Sequence, residues 1–258
     1  PTRYVWDYDR YAEREAIPPG LKTVLQPLIA LLRRWDYQAA QRVDHFVAIS
    51  HTVQERIRRF YDREATVIFP PVDTTRFRPA ARHEDYYLIV SRLVPYRRID
   101  LAVRAFNQLG LPLRIAGDGR DREALEALAG PTVTLLGRVP DADLPDLMAR
   151  CRAYILPGEE DFGIAPLQAQ AAGRPVIAFG AGGALDTVVD GQTGTFFDQP
   201  TPESLVQAVR RFDPGQIDPA ACARNAARFD TAVFKRQISD LIERVTGESH
   251  PGQIEGGT

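Results

Sequence analysis

The stretch EEDFGIAPLQAQAAGRPVIA, Glu159 to Ala178, sets three acids, an aromatic and a glycine ahead of a short apolar helix pattern. A helix start offers unpaired N–H groups and the positive end of the dipole, which together favour an anion. Phe162-Gly163-Ile164 leads into that start, and Gly163 permits close backbone approach. A carboxylate such as Glu160 accepts hydrogen bonds from two neighbouring hydroxyls. Glu159 and Asp161 read as acids that favour the helix N-terminus. Gln168, eight positions after Glu160, offers one neutral carbonyl acceptor among small apolar neighbours. The other chemical pair is Arg92 and Arg97, five positions apart in SRLVPYRRID. Guanidinium groups make charge-assisted, often bidentate bonds to phosphate oxygens, and Arg98 can share that work.

These residues need elements that hold them on one rim. From residue 85 onward the sequence alternates strands and helices. The predicted strands are 86–91, 113–117, 132–137, 153–157, 175–180 and 194–197. Between and after them helical spacing covers 99–109, 121–130, 141–151, 165–173, 183–191, 202–212 and the region 219–245. Near-continuous apolar strands joined by helices predict a parallel sheet covered on both faces. Such sheets bind ligands outside the carboxyl ends of their strands. That rim collects Ser91-Arg92, Gly117-Asp118-Gly119, Gly137-Arg138-Val139, Gly158-Glu159-Glu160 and Gly180-Ala181-Gly182-Gly183. The glycines serve either close approach to a ligand or tight turns.

The first 80 residues differ: a long helical pattern over 21–43, strands at 45–50 and 65–71, and a helix at 51–62. Residues 72–85, rich in proline and charge, read as a linker. With 258 residues, one large or two smaller domains are expected. A net charge of −2 gives no bulk nucleic-acid binder. The 2 cysteines, Cys151 and Cys222, have no CxxC spacing, so neither a disulfide framework nor a zinc site is implied and a cytoplasmic protein is expected. Val24 to Leu32, broken by Pro27, reads as a buried or half-buried helix, with peripheral membrane contact at the inner face as the alternative. His45 and His51 read as structural or surface residues.

SRLVPYRRID, IAGDGRDREALEAL and EEDFGIAPLQAQAAGRPVIAFGAGGALDTVVDGQTG together resemble the retaining glycosyltransferases of the GT-B fold, family 4. FPPVDTTRFRP, 69–79, resembles that family's interdomain segment. Within the family the motifs are most similar to bacterial GDP-mannose-dependent mannosyltransferases of polysaccharide and O-antigen assembly. The resemblance implies an α/β fold of GT-B type: a remnant of the acceptor-side Rossmann-like domain at 1–72, a linker at 73–84 and a nucleotide-sugar-binding Rossmann-like domain at 85–230. A helix at 231–246 packing back toward the N-terminal part and a flexible tail at 247–258 complete it.

It also implies roles. Arg92 and Arg97 hold the diphosphate and stabilise the leaving group, with arginine at 97 where the family usually has lysine. Glu160 holds the donor sugar, Phe162, Gly163 and Ile164 bring backbone amides to it, and the backbone of Val139 reads the base. Gln168 stands where the family has a second glutamate on the ribose. The implied partners are a nucleotide-sugar donor, GDP-mannose, and a saccharide or lipid-linked acceptor, with no metal or other cofactor. Alternatives are a UDP-sugar donor, a nucleotide-sugar 2-epimerase, or a non-catalytic nucleotide-binding module. The opening PTRYVWDYDRY resembles the segment just after a family histidine, so a longer parent is expected, and poor turnover by these residues alone.

Overall fold

The computed structural model describes residues 1, 3–8, 12, 18–80 and 82–247; the tail expected from 247 lies outside them except for Gly247. Two parallel sheets organise the chain. The smaller pairs β1 (Phe46–Ala48) with β2 (Ala65–Val67), Phe46 opposite Ala65. The larger contains β3 (Tyr87–Val90), β4 (Leu113–Ala116), β5 (Val133–Gly137), β6 (Tyr154–Leu156), β7 (Val176–Phe179) and β8 (Gly194–Phe197). Its order is β5-β4-β3-β6-β7-β8, every pair parallel. The chain therefore builds outward from β3 on one side, then returns to start the other half at β6.

Helices are α1 (Arg3–Trp6), α2 (Pro19–Ala40), α3 (His51–Tyr61), α4 (Ile99–Leu109), α5 (Arg122–Leu128) and α6 (Leu144–Arg150). They continue with α7 (Ile164–Ala171), α8 (Ala184–Thr187), α9 (Pro202–Arg211), α10 (Pro219–Ala227) and α11 (Thr231–Thr246). Alternation along β3 sends Tyr87 and Ile89 to one face and Leu88 to the other. The first face packs on α4 and α9 through Leu101, Phe106, Leu205 and Val209. The second packs on α6, α7 and α10 through Met148, Ala171 and Ala226.

The expected helical region 219–245 is two helices. Phe229 leaves the helix, and Asp230 caps α11 by accepting from the Ala232 amide. The expected helix at 183–191 is the single turn α8, because Val188 becomes extended. At the junction of the two sheets, Val72 donates to the Phe229 carbonyl at 2.9 Å and Thr74 Oγ1 donates to Asp230 at 2.5 Å. Phe69, Phe162 and Phe229 pack there with ring centroids 5.1 to 5.8 Å apart.

In α2, Ile29 is buried and Asp36 accepts from Trp6 and from the Tyr61 hydroxyl. Leu21, Val24, Leu28, Leu31 and Trp35 are exposed, Val24 by 73%, so only part of the apolar pattern is covered. Among the described residues no helix is long and apolar enough to cross a membrane.

Candidate functional site

The reversal of strand order falls between β3 and β6, which meet at one residue pair, Leu88 and Tyr154. Beyond it the strands part, and the buried Tyr154 hydroxyl donates to the Val90 carbonyl at 2.9 Å. Parallel sheets open a crevice at such a reversal. Its walls are the segments after β3, carrying Arg92 and Arg97, and after β6, carrying Glu160.

Arg97 ends a 3-10 turn, Pro95–Arg97, and its guanidinium forms an ion pair with the Glu160 carboxylate across the crevice. The two side chains are 26% and 15% exposed, so the pair is only partly hydrated. The buried Arg97 Nε has no hydrogen-bond partner among the described residues. Gly158 makes the approach possible: a Cβ there would lie 2.6 Å from the Arg97 carbonyl oxygen. Arg92 is exposed, and no hydrogen bond or ion pair joins its side chain to another described residue. Arg98 is engaged elsewhere, with φ at 52° and its Nε 3.1 Å from Asp100 at the start of α4.

Gly163 sits ahead of α7 at φ 96°, a left-handed conformation that glycine adopts without strain. No side chain caps α7, and the Ile164 and Ala165 amides at its start bond to no other described residue. A Cβ on Gly163 would lie 3.8 Å from Glu160 Oε2, which sets that carboxylate beside the helix start. Ile164 is exposed and Gln168 half-buried, four apart on one face of α7. The Gln168 amide makes no side-chain bond to another described residue. Phe162 is 3% exposed and its ring belongs to the aromatic junction with Phe69 and Phe229, so only its backbone borders the crevice. Val139 follows the edge strand β5 on the same rim, and its backbone N–H and C=O bond to no other described residue.

The glycine clusters answer to backbone contact. A Cβ on Gly117 would lie 1.8 Å from the Ser91 carbonyl, and one on Gly119 2.2 Å from that of Leu93. These glycines let the segment bearing Arg92 lie against the loop after β4. Gly182, φ 65°, would set a Cβ 2.2 Å from the Glu160 carbonyl, and the Gly183 amide donates to that carbonyl at 2.8 Å.

Several groups at this rim escaped the sequence. Asp161 is not a free helix-favouring acid: it pairs with Arg56 of α3 at 2.6 Å, 105 positions away. Asp186 of α8 accepts from the His51 amide at 3.0 Å and meets its Nδ1 at 2.6 Å. Gln170, Thr187 and Asn225 form a buried polar cluster behind the site. Asp161, Gln170, Asp186 and Thr187 lie inside a conspicuous motif, but local spacing carries no signal for which partners they meet.

The chain belongs to the family of glycosyl transferases group 1, whose model matches residues 72–229. It is 32% identical over 216 residues to a GDP-mannose-dependent alpha-(1-6)-phosphatidylinositol monomannoside mannosyltransferase of Mycolicibacterium smegmatis, covering 71% of this chain and 56% of that protein. It thus spans about half the length of the relatives it matches. The sucrose-phosphate synthase of Thermosynechococcus elongatus superposes with a TM-score of 0.75 at 19% identity, covering 90% of this chain and 63% of that one. Anabaena HepE in complex with UDP-glucose gives 0.72 at 21%, covering 82% and 67%. These likenesses carry the expected α/β fold of GT-B type.

Proposed function

We propose that this chain is the donor-binding part of a retaining glycosyltransferase that moves a hexose, mannose, from GDP-mannose to a saccharide or lipid-linked acceptor in the cytoplasm. The carrying observation is the convergence of Arg97, Glu160 and the uncapped start of α7 at the strand-order reversal. In this reading the diphosphate lies across the crevice between Arg92, Arg97 and the amides of Ile164 and Ala165. Charge developing on the leaving diphosphate meets fixed cations and N–H dipoles, which need no reorganisation as the bond breaks. Glu160 accepts from the sugar hydroxyls, Gln168 from the ribose, and the free backbone of Val139 faces the base. No metal is assigned a role. The M. smegmatis relative supports mannose and GDP.

A UDP-sugar donor is the second reading, favoured by the fold shared with UDP-glucose-bound HepE. Calorimetric titration with GDP, UDP, GDP-mannose and UDP-glucose tests both. GDP binding about tenfold or more tighter than UDP is expected, a difference of about 1.4 kcal/mol. The reverse order transfers the reading to a UDP-sugar. Binding of neither nucleotide rejects the site.

A further inference from the structure

We propose that Thr187 is a positioning residue for Glu160, held in place by Gln170 and Asn225. The inference rests on the donor-site reading above. Its material is the polar cluster behind the crevice, where Gln170 and Thr187 are 0% exposed and Asn225 6%. Helix α8 is one turn, too short to hold its own geometry. Its last carbonyl, that of Thr187, receives two amide donors: Gln170 Nε2 at 2.8 Å and Asn225 Nδ2 at 2.9 Å. Asn225 Nδ2 also reaches Gln170 Oε1 at 2.7 Å, and its Oδ1 accepts from Arg228 at 2.9 Å. Thus α7 and α10 both grip the end of α8.

From there the grip passes to the crevice. The Thr187 hydroxyl donates to the Gly183 carbonyl at 3.0 Å. The Gly183 amide donates to the Glu160 carbonyl at 2.8 Å, and Gly182 lies alongside Glu160 in a parallel bridge. Gly182 and Gly183 have no side chains to brace the loop, so its position is set by these bonds. Apolar side chains could fill the same volume, but they would leave the rotation of the one-turn helix undetermined. Directional bonds fix it, and with it the height of Glu160 over the start of α7.

Thr187→Val and Thr187→Ser separate this from a role in stability alone. Valine keeps the volume and removes the hydroxyl; serine keeps the hydroxyl. The Gly183 carbonyl still accepts from the Thr187 amide at 3.2 Å, so neither change leaves it orphaned. In the 258-residue chain, amide hydrogen exchange by NMR should show Gly183 exchanging about tenfold faster in Thr187→Val, with Leu88 and Ile89 of β3 unchanged and Thr187→Ser like the wild type. Calorimetry should show the affinity gained by GDP-mannose over GDP falling about fivefold in Thr187→Val, with GDP itself unchanged. Wild-type exchange at Gly183, faster exchange throughout the sheet, or an equal loss for GDP and GDP-mannose overturns the proposal. A wild type that gains nothing from the sugar rejects the donor-site reading instead, and the exchange result then decides alone whether Thr187 holds the Glu160 loop.

Discussion

Replacing Arg97 by alanine should damage diphosphate binding far more than replacing Arg92, although both are arginines on one loop. Arg92 is exposed and pairs with no other described residue, so Arg92→Ala removes one charge-assisted contact, about 1.5 kcal/mol at the hydrated end of the range and about tenfold in affinity. Arg97→Ala removes a contact at the drier end, about 3 kcal/mol. It also strips the Glu160 carboxylate of its counterion beside the place assigned to the phosphates. Two charges about 5 Å apart at an effective dielectric of 20 repel by about 3 kcal/mol at most. Part of that is lost to solvent, since neither side chain is fully buried. The sum, about 3–5 kcal/mol, corresponds to a loss of about a hundredfold to a few thousandfold. The signature is in the cycle: adding Glu160→Gln to Arg97→Ala removes the exposed repulsion and should recover about tenfold in GDP affinity. Calorimetry with GDP and with guanosine reads it, guanosine staying within about twofold throughout. An equal loss for guanosine and GDP, or an Arg97→Ala no worse than Arg92→Ala and not rescued by Glu160→Gln, refutes the reasoning.

Gln168→Glu should tighten ribose-bearing ligands by about 1 kcal/mol and Gln168→Ala should weaken them; unchanged titrations for both remove Gln168 from the site. Gly182→Ala would drive a methyl into the Glu160 carbonyl at φ 65°, so melting should show a loss of about 2 kcal/mol or more, with loss of GDP-mannose binding. Asp230→Ala should cost about 1–2 kcal/mol through the lost α11 cap and Thr74 bond. The Asp230 carboxylate is held below its ordinary range, first by the Thr74 hydroxyl and then by the Ala232 amide. Its stabilisation is therefore full above the unfolded value, about 3.9, and is lost as pH falls through the folded one. The melting difference between wild type and Asp230→Ala should accordingly shrink in acid; a difference that grows on acidification contradicts this.

What the sequence made legible follows from its periodicities. Helix α4 was read over its full extent because apolar spacing ends at Gly110, which takes the left-handed cap at φ 65°. Strands β3 to β8 all stand out as short apolar runs; β8 has its expected bounds, and the other five are one or two residues shorter than expected, because the ladder ends before the extended run does. The crevice was legible because parallel strands deliver their following residues to one edge. What pairs with what was not. Nothing local connects Arg56 to Asp161 or Asn225 to Gln170, 55 positions away. Period identifies a buried face but not its partner. For the glycines of GDG and GAGG the structure adds a close approach of opposing backbone that no sequence window contains.

Phe162 has a double attachment. Its ring is seated between Phe69, on the segment leaving β2, and Phe229, while its backbone is followed directly by Gly163 and the first amides of α7. A swing of the smaller sheet about the junction must roll the Phe69 ring over that of Phe162. Phe162 has the aromatic contact at one end and the first amides of α7 at the other. The contact between the two sheets and the start of α7 thus share one residue. Tightening that contact, for example by a bulkier ring at Phe69, would stiffen the amide cradle without a single atom of the cradle being changed.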